Sequence, residues 1–176
     1  MKDQLKRTPA IYLVGFMGSG KSTIGLHLAK QVGWPFIDLD DDIVAETGKS
    51  IAALFDEDGE ARFRAVEATV LNRRIATVKQ GHPLVLALGG GAFAQPANRI
   101  ALAGNGISIW LDVPFDLVQS RVAGFSHRPL TRDPEKFRAL FDARLPAYAE
   151  ADVRIPVTSD DPRTNVQEIL NQGWFS

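Results

Sequence analysis

Gly15-Phe16-Met17-Gly18-Ser19-Gly20-Lys21-Ser22-Thr23 fills every slot of G-x-x-x-x-G-K-[ST], and residues of these types at this spacing capture a chain of phosphates. The glycines let consecutive backbone N–H groups turn toward one anion. Lys21 brings a compact positive charge to the β- and γ-phosphates, and Ser22 offers a hydroxyl to Mg²⁺. An apolar run, Ile11 to Val14, precedes the loop and a helical pattern follows it, which is the context such a loop requires. A glycine-rich turn that merely contained Lys-Ser would need neither. Gly18, Ser19, Gly20, Lys21, Ser22 and Thr23 are therefore expected to hold a nucleoside triphosphate.

Phosphoryl transfer depends on positioning and charge neutralisation more than on covalent help, so other charged groups must gather near the γ-phosphate. Asp38-Leu39-Asp40 ends a strand-like run, and a period of two would put both carboxylates on one side of the chain. One could hold the water shell of Mg²⁺ while the other takes a proton from an acceptor hydroxyl. Capping of the next helix accounts for Asp41 and Asp42, but not for Asp38, one strand residue earlier. Arg64 and Glu67 are i, i+3 neighbours on a helical pattern. An arginine pinned by a carboxylate is a rigid fork for a second carboxylate, yet spacing alone favours a surface ion-pair ladder of Glu60, Arg64 and Glu67. Gly89-Gly90-Gly91 directly follows a strand-like run, where missing side chains let backbone approach a ligand. Arg121, Arg128 and Arg144 complete the cationic set, and an arginine closing on a triphosphate from a lid is worth about 10³ to 10⁵ in rate.

The elements that must position these groups alternate along the chain as strand, helix, strand, the pattern of an α/β protein with a mostly parallel sheet and helices on both faces. Five strands are predicted, at Ile11 to Val14, Pro35 to Leu39, Leu84 to Leu88, Ile107 to Leu111 and Val153 to Val157. The first, third and fourth are continuous apolar runs suited to burial on both faces. Ile24, Leu28 and Val32 mark a helix that Gly33 stops. Asp161-Pro162 opens the last helix, and Pro114 fits the first turn of another. A helical region of residues 41–77, broken near Gly48 and Gly59, is too long for a simple crossover. Insertions at the carboxyl end of such a sheet carry substrate contacts. The irregular stretch Gly124 to Asp133, with Arg128 and Arg132, reads as part of a mobile lid over residues 121–135. The whole of residues 1–176 is expected to form one domain.

Bulk composition narrows the partners. A net charge of −1, with 20 basic residues against 21 acidic ones, argues against a nucleic-acid binder. There is no cysteine, which excludes a disulfide framework and any thiolate metal site and suits a reducing cytosol. His27, His82 and His127 have no metal-ligand spacing. The apolar stretch after Pro9 is broken by Gly15, long before the roughly 18 residues a membrane span needs. A cytoplasmic protein with no membrane partner is expected.

In this order, these groups resemble the shikimate kinase family over nearly the whole chain. The resemblance rests on the Gly-Ser-Gly-Lys-Ser-Thr loop, Asp38-x-Asp40, Gly48 with Ser50-Ile51, Phe55, Gly59-Glu60, Phe63-Arg64, Glu67, the triple glycine, Arg128-Pro129-Leu130 and Arg144-x-Pro146-x-Tyr148. It implies a P-loop NTPase-like fold of the nucleoside-monophosphate-kinase-like class, with a five-stranded parallel sheet, a substrate-binding helical insertion and a lid. It implies transfer of the γ-phosphate of ATP to the 3-hydroxyl of shikimate in the chorismate route, by a monomer that uses Mg²⁺. Lys21 would then stabilise the transferring phosphoryl group, with Ser22 as a metal ligand and Asp38 in the metal's water shell. Asp40 would orient or deprotonate the attacking hydroxyl. Arg64 and Arg144 would clamp the carboxylate, Gly89, Gly90 and Gly91 would pack against the substrate, and Arg121 and Arg128 would meet the nucleotide.

The chain departs from the family pattern in three places. Ile43-Val44 lacks the usual Glu, Thr131 replaces the second Leu after Arg-Pro-Leu, and Ser159-Asp160-Asp161-Pro162-Arg163 lacks an arginine beside adenine in the usual position. Two other readings use the same loop: a gluconate kinase on the same scaffold, whose open-chain acceptor would not require both Arg64 and Arg144, and a nucleotide-binding module without transfer, against which Lys21, Asp40 and Arg128 speak.

Overall fold

Every residue of β1 (Ala10–Val14) is buried, because the strand runs through the middle of a parallel sheet and is covered on both faces. The computed structural model describes residues 10–124 and 133–173. With β2 (Phe36–Asp38), β3 (Leu84–Ala87), β4 (Ile107–Asp112) and β5 (Val153–Pro156), β1 forms a five-stranded sheet in the order β2-β3-β1-β4-β5. The apolar runs predicted for β1, β3 and β4 are the buried strands. Leu13, Leu86, Ile109 and Leu111 are at most 1% exposed, and each such side chain stabilises the fold by about 1.5–3 kcal/mol.

Register decides where chemistry can happen. Leu13 lies opposite Ala87, and Ala87 lies opposite Asp38, so β1, β3 and β2 end at one level. The loop after β1, the acidic run after β2 and the triple glycine after β3 leave the sheet side by side. Strand order reverses direction around β1, and ligands of open α/β sheets bind at such a switch point. Right-handed crossovers that step in opposite directions put their helices on opposite faces. Helix α1 (Lys21–Val32) packs beside the last helix, α8 (Pro162–Leu170).

The helical region after β2 breaks where its glycines stand. Helix α2 (Leu39–Thr47) ends at Gly48 in the left-handed conformation (φ 68°). A single turn, α3 (Ile51–Ala53), capped by Ser50, runs into a π-turn over Leu54–Asp58, and Gly59 (φ 81°) opens the long helix α4 (Gly59–Lys79). Two arginines lock α4 to α2: Arg74 forks onto Asp42 at 2.6 and 2.8 Å, and Arg73 reaches Glu46 at 2.8 Å. These pairs brace α2 through its own acids, although Ile43-Val44 lacks the usual Glu.

Helices α5 (Pro96–Leu102), α6 (Phe115–Ala123) and α7 (Pro134–Tyr148) complete the layers. Pro114 caps α6 rather than occupying its first turn. The segment expected as a lid is helical at both ends, since 121–123 belong to α6 and Pro134 opens α7 behind an Asp133 cap. Between them, Arg128, Pro129, Leu130, Thr131 and Arg132 lie outside the described residues.

β2 is shorter than expected, and the consequence reaches the site. Asp38 is extended (φ −102°, ψ 123°) and its carboxylate accepts the Asp40 N–H at 3.0 Å, so Asp38 is the N-cap of α2 and Asp40 lies in its first turn. An N-capping carboxylate followed by three acids favours helix over strand, since each complements the positive helix end. The period-two argument for Asp38 and Asp40 therefore fails, and helix geometry sets their relative position.

Candidate active site

The loop from Gly15 to Gly20 wraps the N-terminus of α1. Gly18 (φ 77°) and Gly20 (φ 88°) adopt left-handed conformations, which cost an L-residue about 1–2 kcal/mol. Gly15 is held by space, since a Cβ there would lie 2.9 Å from Ser19 Oγ and 3.0 Å from the Leu111 carbonyl. Ser19 is buried. Lys21 Nζ donates to the carbonyls of Gly15 (2.8 Å) and Phe16 (3.0 Å), which curls the ammonium over the loop. Ser22 Oγ donates to Asp38 Oδ2 at 2.6 Å, and Thr23 is exposed beside it. Asp38 thus serves twice, one oxygen capping α2 and the other meeting the P-loop hydroxyl.

Across from this loop, the ends of β2 and β3 bring together a carboxylate and two guanidinium groups. A Cβ on Gly89 would lie 2.9 Å from Asp40 Oδ1 and 3.5 Å from Glu67 Oε2. A Cβ on Gly91 would collide with Arg64 Nη2 and lie 2.8 Å from Arg144 Nη1. The two forks, one from α4 and one from α7, therefore converge on Gly91, while Gly89, two residues earlier in the same turn, faces Asp40. None of the three glycines has a positive φ, so what the triplet provides is room rather than an unusual turn. Gly90 is the exception in that respect: a Cβ there would make only ordinary contacts, the nearest 3.7 Å away.

Arg64 and Glu67 do not form a surface ladder. Glu67 is 1% exposed and accepts from Arg64 Nη1 at 2.8 Å. Burial pushes its carboxyl above the ordinary range and the nearby Asp40 charge adds to this, while Arg64 pulls the other way. Arg64 also lies against Phe63 and Phe55, its Cζ 5.1 and 5.9 Å from the ring centroids, and only Glu60, at 3.6 Å, remains on the exposed side. Spacing cannot distinguish this from a solvated ladder, because the groups around the Glu67 carboxylate, Gly89 and the charges of Asp40 and Arg144, are remote in sequence.

Arg121 reaches the nucleotide loop. Its Nη1 donates to the Gly18 carbonyl at 3.0 Å and its Nη2 to Asp160 at 2.6 Å. Arg163 folds back onto Asp161, its own helix cap, and is 80% exposed. Arg128 lies outside the described residues, as does His127. Among the described residues, no three His, Cys, Asp or Glu side chains gather into a metal cluster, and no helix is long and apolar enough to cross a membrane. Ser22 and Asp38 together offer two hard oxygen donors beside a phosphate loop, the donor set that suits Mg²⁺ when phosphates and water supply the remaining positions.

Two residues of the site are not among the candidates that the sequence singles out. Glu67 enters there only as a partner of Arg64, and Tyr148 only as the end of the Arg144 motif. The available signal is helical spacing, since Arg64 with Glu67 and Arg144 with Tyr148 each share a helix face.

A family model described as shikimate kinase matches residues 17–173. The shikimate kinase of Persephonella marina is 42% identical over 163 residues, which are 92% of this chain and 97% of that one. A shikimate kinase from Acinetobacter baumannii, solved in complex with shikimate, superposes with a TM-score of 0.86 at 38% identity and covers 97% of this chain and 95% of its own. A gluconokinase from Sinorhizobium meliloti reaches a TM-score of 0.60 at 19% identity, over 93% and 91% of the two chains. At that distance the likeness speaks for the fold alone.

Proposed function

This chain belongs to the shikimate kinase family, and on that premise we propose that it phosphorylates the 3-hydroxyl of shikimate with ATP as donor, giving shikimate 3-phosphate and ADP. The observation that carries the reading is the meeting of Arg64 and Arg144 at Gly91, two residues along the chain from the glycine that faces Asp40. A cyclic polyhydroxylated acid needs bidentate cations at its carboxylate and an acceptor at its hydroxyls, and this turn presents both.

The roles follow from placement. Backbone amides of the loop and Lys21 hold the β- and γ-phosphates, and Arg121 steadies the loop through the Gly18 carbonyl. Ser22 and Asp38 are the residues that would hold Mg²⁺, which supplies charge neutralisation at the transferring phosphate. Asp40 orients the 3-hydroxyl and takes its proton as the new P–O bond forms. Arg64, kept in place by Glu67, and Arg144 bind the carboxylate. Arg128 is assigned to the nucleotide from the lid, and closure there would exclude water from the phosphoryl group. The enzyme is proposed to act as a cytoplasmic monomer, without nucleic acid or membrane as partner.

A coupled ADP-release assay offering shikimate, quinate and gluconate with Mg·ATP tests the assignment. Turnover with shikimate well above that with gluconate is expected. A preference for gluconate would replace the acceptor, and no turnover with any of them would leave a nucleotide-binding module.

A further inference from the structure

Tyr148 is 1% exposed, and its hydroxyl donates to the Gly90 carbonyl at 2.5 Å. One helical turn earlier on α7 stands Arg144, whose charge lies near the same phenol and whose Nη1 lies beside Gly91. The phenol's bond to Gly90 therefore ties the helix that carries the fork to the turn the fork faces. The helix needs such a tie. Pro146, between the two residues, has no N–H, so this last turn lacks a bond to the Asp142 carbonyl and is weakened there. Trp110 packs on the Tyr148 ring, with centroids 6.0 Å apart.

We infer that Tyr148 is a positioning residue for the acceptor site: by donating to Gly90 one helical turn from Arg144, its hydroxyl ties the helix that carries the Arg144 fork to the glycine turn and so fixes the distance between them. The inference rests on the proposed reading of Arg144 as a carboxylate clamp. It extends that reading to a side chain that does not itself touch substrate. Tyr148→Phe keeps the ring and its packing, and leaves the Gly90 carbonyl without the donor on the Arg144 helix.

Steady-state kinetics on the full chain, varying shikimate and ATP separately, test this. Tyr148→Phe is expected to raise the KM for shikimate about tenfold, as loss of one buried hydrogen bond would, with the KM for ATP within about twofold of wild type. In a cycle with Arg144→Lys, the double variant is expected to be little worse than Arg144→Lys alone, because both changes break one unit. Trp110→Phe loosens the same packing without touching the hydroxyl, and is expected to lower the melting temperature but leave the KM for shikimate unchanged. In wild-type protein labelled with ¹³Cζ-tyrosine, shikimate is expected to move the Tyr148 signal and not that of Tyr12, a readout that stands even if Tyr148→Phe fails to fold.

An unchanged KM for shikimate in Tyr148→Phe, an equal rise in both KM values, a Trp110→Phe variant that reproduces the shift, or an unmoved Tyr148 resonance would each overturn the inference while wild-type turnover left the function standing. Absence of wild-type turnover with shikimate would overturn both.

Discussion

Arg64 donates to the buried carboxylate of Glu67 at 2.8 Å, so the guanidinium that faces Gly91 is held by a charge that burial itself disfavours. The Glu67 carboxyl is raised above its ordinary value of 4.5, chiefly by desolvation. As pH falls through that raised value, Glu67 takes up a proton while ordinary carboxylates are still charged, and Arg64 loses its anchor. The KM for shikimate is therefore expected to climb on the acid side, starting above pH 4.5. Folding stability moves the other way: the folded state binds the proton more tightly, so this group's contribution is fully present below the unfolded pKa and is lost as pH rises through the folded one. Glu67→Gln is expected to remove the acid limb and hold KM near its protonated value. An acid limb identical in the variant would show that another group is responsible.

Arg64→Ala is expected to raise the KM for shikimate by about 10- to 100-fold, the range for one lost charge-assisted pair, with a much smaller effect on the KM for ATP. Initial-rate measurements with each substrate varied in turn decide it. Equal effects on both would remove the carboxylate clamp.

Asp40→Asn keeps the shape at Gly89 and removes the proton acceptor. Turnover is expected to fall about 10² to 10⁴-fold, with ATP binding measured by calorimetry nearly unchanged. Retained turnover would reject Asp40 as base or orienting group.

The triple glycine yields a graded test. Gly91→Ala would push a methyl group into two flexible arginine ends, so the fold is expected to survive while shikimate binding is lost. Gly89→Ala presses on Asp40 and is expected to lower kcat. Gly90→Ala meets only ordinary contacts and is expected to be the mildest of the three. If Gly90→Ala proves the most harmful, that glycine serves substrate approach rather than packing.

The parts of the site that lie in consecutive residues are legible in the sequence itself. The nucleotide loop is one such run, and the glycines that break α2 and α4 stand where the chain changes direction. Sequence and structure part where local pattern and tertiary context compete. Asp38 reads as a strand residue with Asp40 in phase, but its capping bond starts α2 at Leu39. Arg64 reads as part of a solvated ladder because i, i+3 spacing says nothing about what covers Glu67. The phenol of Tyr148 meets a carbonyl 58 positions away, which no local signal carries.

Both tyrosines are neutral in the fold well beyond the ordinary phenol range. Burial pushes Tyr148 up to about 12 from an ordinary value of 10.0, and Tyr12 higher still. Between those values the folded state holds protons that the unfolded chain has released, so stability is expected to fall as pH rises above 10. Urea midpoints from about pH 8 to about pH 11 should show a decline that is shallower in Tyr148→Phe. Ionisation of both phenols at the ordinary value in the folded protein, read by ultraviolet titration, would exclude it.

The strand that delivers the phosphate loop has no early neighbour. β1 pairs with β3 and β4, and β2 pairs with β3, so nothing in the sheet can form before Leu84 has left the ribosome. The first half of a nascent chain carries the entire nucleotide loop yet has no sheet on which to hold it. Loop-closure entropy must be met before those distant pairings stabilise anything. Competence to hold ATP therefore arrives late in synthesis, and a chain stalled ahead of β3 is a client for chaperones rather than a small working kinase.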